Sequence, residues 1–375
     1  MPPAWRRRPD VDGGRGGVAL LLTTLRLGGA RRESAALRQA WETRADYPGL
    51  AGLIDFEGCA LWLARRLRQI GADTALASDL GGFVTRCARD IAASNLLVDA
   101  ETETMLGFLT ARGTPCILLK GAARRALAHQ LPFADARATM DLDLLVPGPA
   151  ARGLWDDLRA PPRGYALGFP DRNPRPRHHH LPALVGPGGV SVEIHTSVAP
   201  GIPAELTWQR LRSTATTIQR FGVETLVPST TELLWDGMMH AVRSGARGFR
   251  LHQLLAASCI VATGGGAELR EVRDRLARRS SAPPSLAGAW LDAATWLGGA
   301  GDGDPPAILT RSLQWRLAVA RRLPASHRVL GVWADEASRL EFDLPPSRGV
   351  TGGLRPLGAA LVRNAYRCWR LALAS

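Results

Sequence analysis

Thr139-Met140-Asp141-Leu142-Asp143-Leu144-Leu145-Val146, stopped by Pro147-Gly148, is the stretch on which the fold turns. Its alternating polar and apolar residues predict a β-strand. Side chains alternate across a strand, so Asp141 and Asp143 share one face while Leu142 and Leu144 share the other. Two carboxylates on one face repel unless a cation sits between them. Hard oxygen ligands are what Mg²⁺ prefers, usually beside substrate phosphates. Taken alone, an Asp-x-Asp pair fits the ordinary polar face of a half-buried sheet better than a metal centre.

The neighbouring segments change that balance. Upstream, Cys116-Ile117-Leu118-Leu119 is a short apolar run that predicts a buried strand, followed by Lys120-Gly121 and a helix over 122–130. Downstream, Leu184 to Val185 and Val190 to Ile194 flank Gly186-Pro187-Gly188-Gly189, which punctuates a hairpin. In Val190-Ser191-Val192-Glu193-Ile194-His195 the apolar residues share one face, and Glu193 and His195 project from the other. If this strand neighbours the first, three carboxylates converge, enough to hold two ions around an in-line displacement at phosphorus. The chain has 47 Lys plus Arg, yet only one of them is Lys, at position 120. A point charge beside a glycine, at the start of a helix whose free amides attract phosphate, complements the acidic face.

Three segments carry a resemblance to a known family. Leu118-Leu119-Lys120-Gly121-Ala122, the run from Phe133 to Val146 and Val192-Glu193-Ile194-His195 resemble the uncharacterised nucleotidyltransferase family of the polymerase-β-like superfamily. That family has an LKG segment, an R-x-x-x-D-h-D-h-L-V segment, where h is apolar, and a later h-E/D-h-H. Leu53-Ile54-Asp55-Phe56 to Leu67 and Leu233 to His240 are also similar, so the resemblance covers most of residues 50 to 260. It implies that Asp141, Asp143 and Glu193 are the catalytic metal ligands, holding Mg²⁺ or Mn²⁺, with an NTP such as ATP as co-substrate. Lys120, Gly121, Arg137 and His195 match the nucleotide-binding positions. Arg137 has two readings: a phosphate contact, or a structural pair with Asp135 or another carboxylate. His195 either assists the acceptor or stabilises Glu193. The Gly-Ser dipeptide of better-known superfamily members is replaced by Lys-Gly. His252-Gln253 stands where the family often has an Asp.

The expected fold is α+β, a small mixed-sheet nucleotidyltransferase core flanked by helical regions. Residues 1–17 read as a disordered tail, 18–112 as an N-terminal helical region, 113–200 as the core, 201–336 as a C-terminal helical region and 337–375 as an extension. Asp55 is a candidate cap for a helix over 60–69. Asn95 to Thr110 reads as helical, ended by Arg112-Gly113 and Pro115. Ser229 and Glu232 form a candidate capping box. The His178-His179-His180 run lies in a Pro-rich stretch and reads as solvent-exposed or lining a cleft, since consecutive residues seldom converge on one ion. His240 reads as a core or interdomain histidine.

Composition bounds the partners. Length is 375 residues, 46% of them apolar, with a net charge of +13. The Arg residues are spread along the chain, which fits solvated helix faces as well as an acidic partner. Without a named module or aromatic–basic interleaving, a basic nucleic-acid-binding protein is disfavoured. Cys59, Cys87, Cys116, Cys259 and Cys368 form no close pair, which points to a reducing cytoplasm rather than a disulfide framework. No run of about 20 apolar residues suggests a membrane span. The expected activity is transfer of a nucleoside monophosphate to a hydroxyl or phosphate of a small molecule, a protein or a biosynthetic peptide. The alternative is a catalytically inactive protein that keeps the fold and binds a nucleotide or partner.

Overall fold

The structure is a computed structural model that describes residues 13–27, 30–43, 49–76, 78–168, 179–199, 202–243, 250–278 and 284–322. Five helices come first: α1 (Gly13–Leu25), α2 (Ala30–Thr43), α3 (Leu50–Phe56), α4 (Ala60–Gln69) and α5 (Ser78–Ala111). The core follows with β1 (Ile117–Leu118), α6 (Lys120–Ala126), a 3-10 turn (Ala134–Ala136), β2 (Asp141–Leu145), α7 (Gly148–Arg159), β3 (Ala166–Leu167), β4 (Leu184–Val185), β5 (Ser191–His195), α8 (Ala204–Thr214), β6 (Thr216–Arg220) and β7 (Val223–Val227). The chain then returns to helices: α9 (Thr230–Arg243), α10 (Leu251–Ala262), α11 (Gly266–Ala277), α12 (Pro284–Leu297) and α13 (Ala307–Arg322).

The seven strands form one mixed sheet in the order β3-β4-β5-β2-β1-β7-β6. β2 sits at its centre, parallel to β5 and antiparallel to β1. The expected hairpin is present: β4 pairs antiparallel with β5, and Val185 faces Ser191. Leu142 and Leu144 point into the main core, as the alternation requires. Leu145 points the other way and is covered by Trp208 and Leu211 of α8, with Ile117 and Leu119. Both faces of this end of β2 are therefore dry, and that seals Asp143 between them.

Several helix limits follow from local chemistry. α5 is one long helix, and Gly113 stops it in the left-handed region (φ 66°), where Thr114 N–H reaches back to Leu109 C=O. α4 has the expected limits, but its cap is Cys59, and Asp55 lies inside α3. At α9, Glu232 N–H donates to Ser229 Oγ (3.3 Å), half of the expected capping box, while the Glu232 carboxylate turns to Arg275 (2.7 Å). α6 starts at Lys120 itself and ends at Ala126, shorter than the sequence suggests.

Three other expectations need correction. α1 begins at Gly13, inside the segment read as a tail, while residues 1–12 and 323–375 lie outside the described residues. Thr216 to Val227, read as part of a helical stretch, is the β6–β7 hairpin, and β7 completes the sheet against β1. Its turn, Phe221-Gly222, has two positive φ angles (52° and 72°), as a two-residue hairpin loop with the right twist demands. His240 is exposed on α9 rather than in the core.

The helices before and after the sheet share one apolar core with it. Glu57, fully buried, ties them together: one carboxylate oxygen accepts from Arg316 on α13 (2.5 Å), the other from the Leu251 N–H that opens α10 (2.6 Å). No helix among the described residues is long and apolar enough to cross a membrane.

Candidate active site

The site is built on the central strand pair. In the parallel β2–β5 ladder Asp141 faces Ser191, Asp143 faces Glu193 and Leu145 faces His195. Lys120 enters from the end of β1 with φ 45°, in the left-handed region, which turns the chain sharply into α6. Gly121 is required there by close approach. A Cβ at this position would lie 2.6 Å from Thr139 Cγ2.

Asp143 is completely buried and is the hub. Its Oδ1 accepts from Lys120 Nζ (2.6 Å) and His195 Nε2 (2.8 Å). Its Oδ2 is sealed from solvent and has no partner among the described residues. Glu193 Oε2 lies 3.7 Å from Lys120 Nζ and 3.4 Å from His195 Nε2. His195 is fixed at its other nitrogen by the Ser197 carbonyl (3.3 Å).

The electrostatics follow from this packing. Burial opposes ionisation of Asp143, but Lys120 and His195 outweigh it and hold the carboxyl well below the usual range. Glu193 is also held low: burial opposes this, and the His195 bond and Lys120 prevail. Burial and Lys120 disfavour a charged His195, while its bonds to Asp143 and Glu193 pull its pKa above the ordinary value. Asp141 goes the other way. Burial first, then the adjacent Asp143 charge, pushes it up to about 6. A carboxyl raised by a like-charged neighbour marks a place short of positive charge.

A buried oxygen without a partner, a raised carboxyl and a directly opposed glutamate form a donor set that fits a hard divalent cation. Among the described residues, ligand atoms of Asp143, Glu193 and His195 lie within 4.8 Å of one another. Asp141 is outside that group; it stands two residues earlier on β2, part-exposed at the strand entrance. The sequence placed all three acidic residues on one strand pair, and the structure adds His195 to the closest cluster.

Arg137 does not pair with Asp135. Arg65 of α4 takes that carboxylate in a two-pronged bridge (2.5 and 2.9 Å). His179 and His180 are not simply solvent-exposed: their rings lie 5.3 and 5.2 Å from that of His195, and His180 makes an isolated β-bridge with it. His178 lies outside the described residues. Sequence reasoning missed Asn95, buried on α5. Its side chain donates to the carbonyls of Asp135 and Arg137 (both 3.0 Å) and accepts from Thr139 N–H (2.9 Å), which fixes the approach to β2. A lone Asn in a helical run carries no signal for this, because its partners are 40 to 44 residues away. A cavity of about 390 Å³ lined by Leu109, Cys116, Glu224, Thr225 and neighbours contains none of Asp141, Asp143 and Glu193.

A mixed sheet whose central strands carry opposed carboxylates around a lysine is the architecture expected of a nucleotidyltransferase. The chain belongs to the family described as "Uncharacterised nucleotidyltransferase", which it matches over residues 44–298. A solved structure, described as an antigenic nucleotidyltransferase-like protein from Paracoccidioides brasiliensis, aligns at 16% identity over 52% of this chain and 92% of that one, with a TM-score of 0.34. No functionally curated protein matches the chain.

Proposed function

We propose that this protein is a metal-dependent nucleotidyltransferase that moves a nucleoside monophosphate from an NTP to an acceptor. An acceptor hydroxyl or phosphate oxygen forms the new bond to the α-phosphorus, the bond to the β-phosphate oxygen breaks, and pyrophosphate leaves. The observation that carries this reading is Asp143: a buried carboxylate opposite Glu193, with one oxygen held by Lys120 and His195 and the other without a partner.

Asp141, Asp143 and Glu193 are the proposed ligands of Mg²⁺ or Mn²⁺, with His195 holding Asp143 in place. When bound, the metal supplies charge stabilisation to the attacking and leaving oxygens. Lys120 keeps Asp143 and Glu193 together and places a point charge where phosphates enter. The acceptor class is a small molecule, a protein or a biosynthetic peptide. Among the described residues, Cys59, Cys87, Cys116 and Cys259 form no disulfide with one another, which supports a reducing, cytoplasmic setting.

The test is incubation with each labelled NTP, Mg²⁺ or Mn²⁺ and panels of these acceptors, reading label transfer and pyrophosphate release. NTP binding without turnover under any metal would support the inactive, ligand-binding alternative. Absence of NTP binding would remove the nucleotidyltransferase reading.

A further inference from the structure

Among the described residues, three buried arginines are held by protein partners. Arg125 bridges Asp99, Arg316 bridges Glu57, and Arg66 is bonded to the Thr24 carbonyl and Gln69. Arg124 and Arg137 break that pattern. Arg124, on α6, is 9% exposed, and its Nε is sealed without a partner. Nε and Nη1 of Arg137 are sealed in the same way. Among the described residues neither guanidinium makes an ion pair. Asp141 and Asp143 act on Arg137, and Asp236 and Asp143 on Arg124, only through space.

The two cations are neighbours. Burial lowers the pKa of Arg124 to about 9, and the Arg137 charge adds to the shift. His252 of α10 faces both and is kept neutral, first by burial and then by Arg137, Arg250, His240 and Arg124. Arg137 and His252 each keep a part-exposed edge. Buried charge is tolerated when it is paired, and a guanidinium presents a planar fork of donors matched to phosphate oxygens. Two such forks, with carboxylates near but none in an ion pair and with sealed N–H donors left unused among the described residues, offer an anion its hydrogen bonds at the seam between the sheet and α10.

We propose that Arg124 and Arg137 form an anion pocket that takes a phosphate group of a substrate, beside the acidic centre and under α10. The anion pocket rests on the unpaired guanidiniums alone; the choice of phosphate over carboxylate rests on the nucleotidyl-transfer reading. The phosphate belongs either to the nucleotide's polyphosphate tail or to a phosphorylated acceptor. Its charge neutralises both arginines and draws α10 onto α6.

The experiment uses the full chain in EDTA, in a buffer free of phosphate and sulfate, so failure of the metal site cannot affect it. Inorganic phosphate and pyrophosphate are titrated by calorimetry and thermal melting. A saturable rise in Tm for the wild type is expected. Arg124→Met and Arg137→Met are expected to bind roughly tenfold to a hundredfold more weakly, the loss of a charge-assisted contact. Their anion-free Tm should be no lower than that of the wild type, because each removes an unpaired buried charge. Competition between phosphate and a nucleoside triphosphate assigns the pocket to the nucleotide, and simultaneous binding assigns it to the acceptor. A wild type with no saturable response to either anion overturns the proposal, whatever the variants do. So does a response that both variants retain in full.

Discussion

Asp143 stands opposite Glu193 across the parallel β2–β5 ladder, and the ammonium of Lys120 reaches both carboxylates. The acidic centre therefore carries its own cation in the metal-free protein. The sequence suggests that neutralising Asp143 would relieve repulsion, but the structure gives it two hydrogen-bond partners instead, a buried His195 and a part-exposed Lys120. Asp143→Asn is expected to lower nucleotidyl transfer by about a thousandfold or more, through loss of charge stabilisation worth several kcal/mol. It is also expected to destabilise the metal-free protein, by about 1–3 kcal/mol, since Lys120 loses its nearest counter-ion. Activity assays and denaturant melts check the two halves. Full transfer activity in the variant would show that Asp143 is not a ligand.

Asp141 supplies the pH dependence. Its folded pKa, about 6, lies above its ordinary value. A raised carboxyl contributes stability that is present below the unfolded pKa and lost as pH rises through the folded one. Asp141→Asn should therefore melt higher than the wild type at neutral pH without metal, by about 1–3 kcal/mol, and the gap should close as pH falls below about 4. If Asp141 is the ligand proposed above, divalent-metal affinity of the wild type should weaken below about pH 6, where the proton competes for its carboxylate. A gap independent of pH would show that Asp141 is not perturbed.

Asn95 makes three hydrogen bonds to the backbone between Asp135 and Thr139. Asn95→Ala leaves the Arg137 carbonyl and the Thr139 N–H without partners, and the Asp135 carbonyl with only the long contact from Arg125 (3.4 Å), and should cost about 2–4 kcal/mol. Asn95→Asp preserves size but turns an acceptor toward both carbonyls, so it should be no better than alanine. Urea denaturation of both variants decides this, and an aspartate variant as stable as wild type would contradict it.

Gly121→Ala places a methyl 2.6 Å from Thr139 Cγ2, which must move, and Thr139 leads directly into β2. A stability loss of about 1–3 kcal/mol is expected. Thr139→Ser removes that methyl and should recover much of the loss, seen as coupling in a double-mutant cycle. Independent, additive effects would place the clash elsewhere.

Much of the site was legible because it is local. Asp141 and Asp143 on one strand, and Glu193 two residues before His195, follow from a period of two. The hairpin before β5 was legible from its glycines, and the Phe221-Gly222 hairpin was not, since a Thr-rich strand pair lacks the stronger turn signals. The partner of Asp135 was not legible, since it is Arg65, 70 residues away, rather than the nearby Arg137.

The sequence by itself determined which residues carry charge, which strand face they share and where the lone lysine falls, because these depend on spacing along one element. Only the tertiary structure decided that Lys120 and His195 converge on one oxygen of Asp143, that Asn95 clamps the entry to β2, and that Arg124 and Arg137 hold buried guanidinium nitrogens that have no hydrogen-bond partner among the described residues. Those facts depend on which elements pack together, and packing is set by the shared apolar core, to which residues far apart in the chain contribute together.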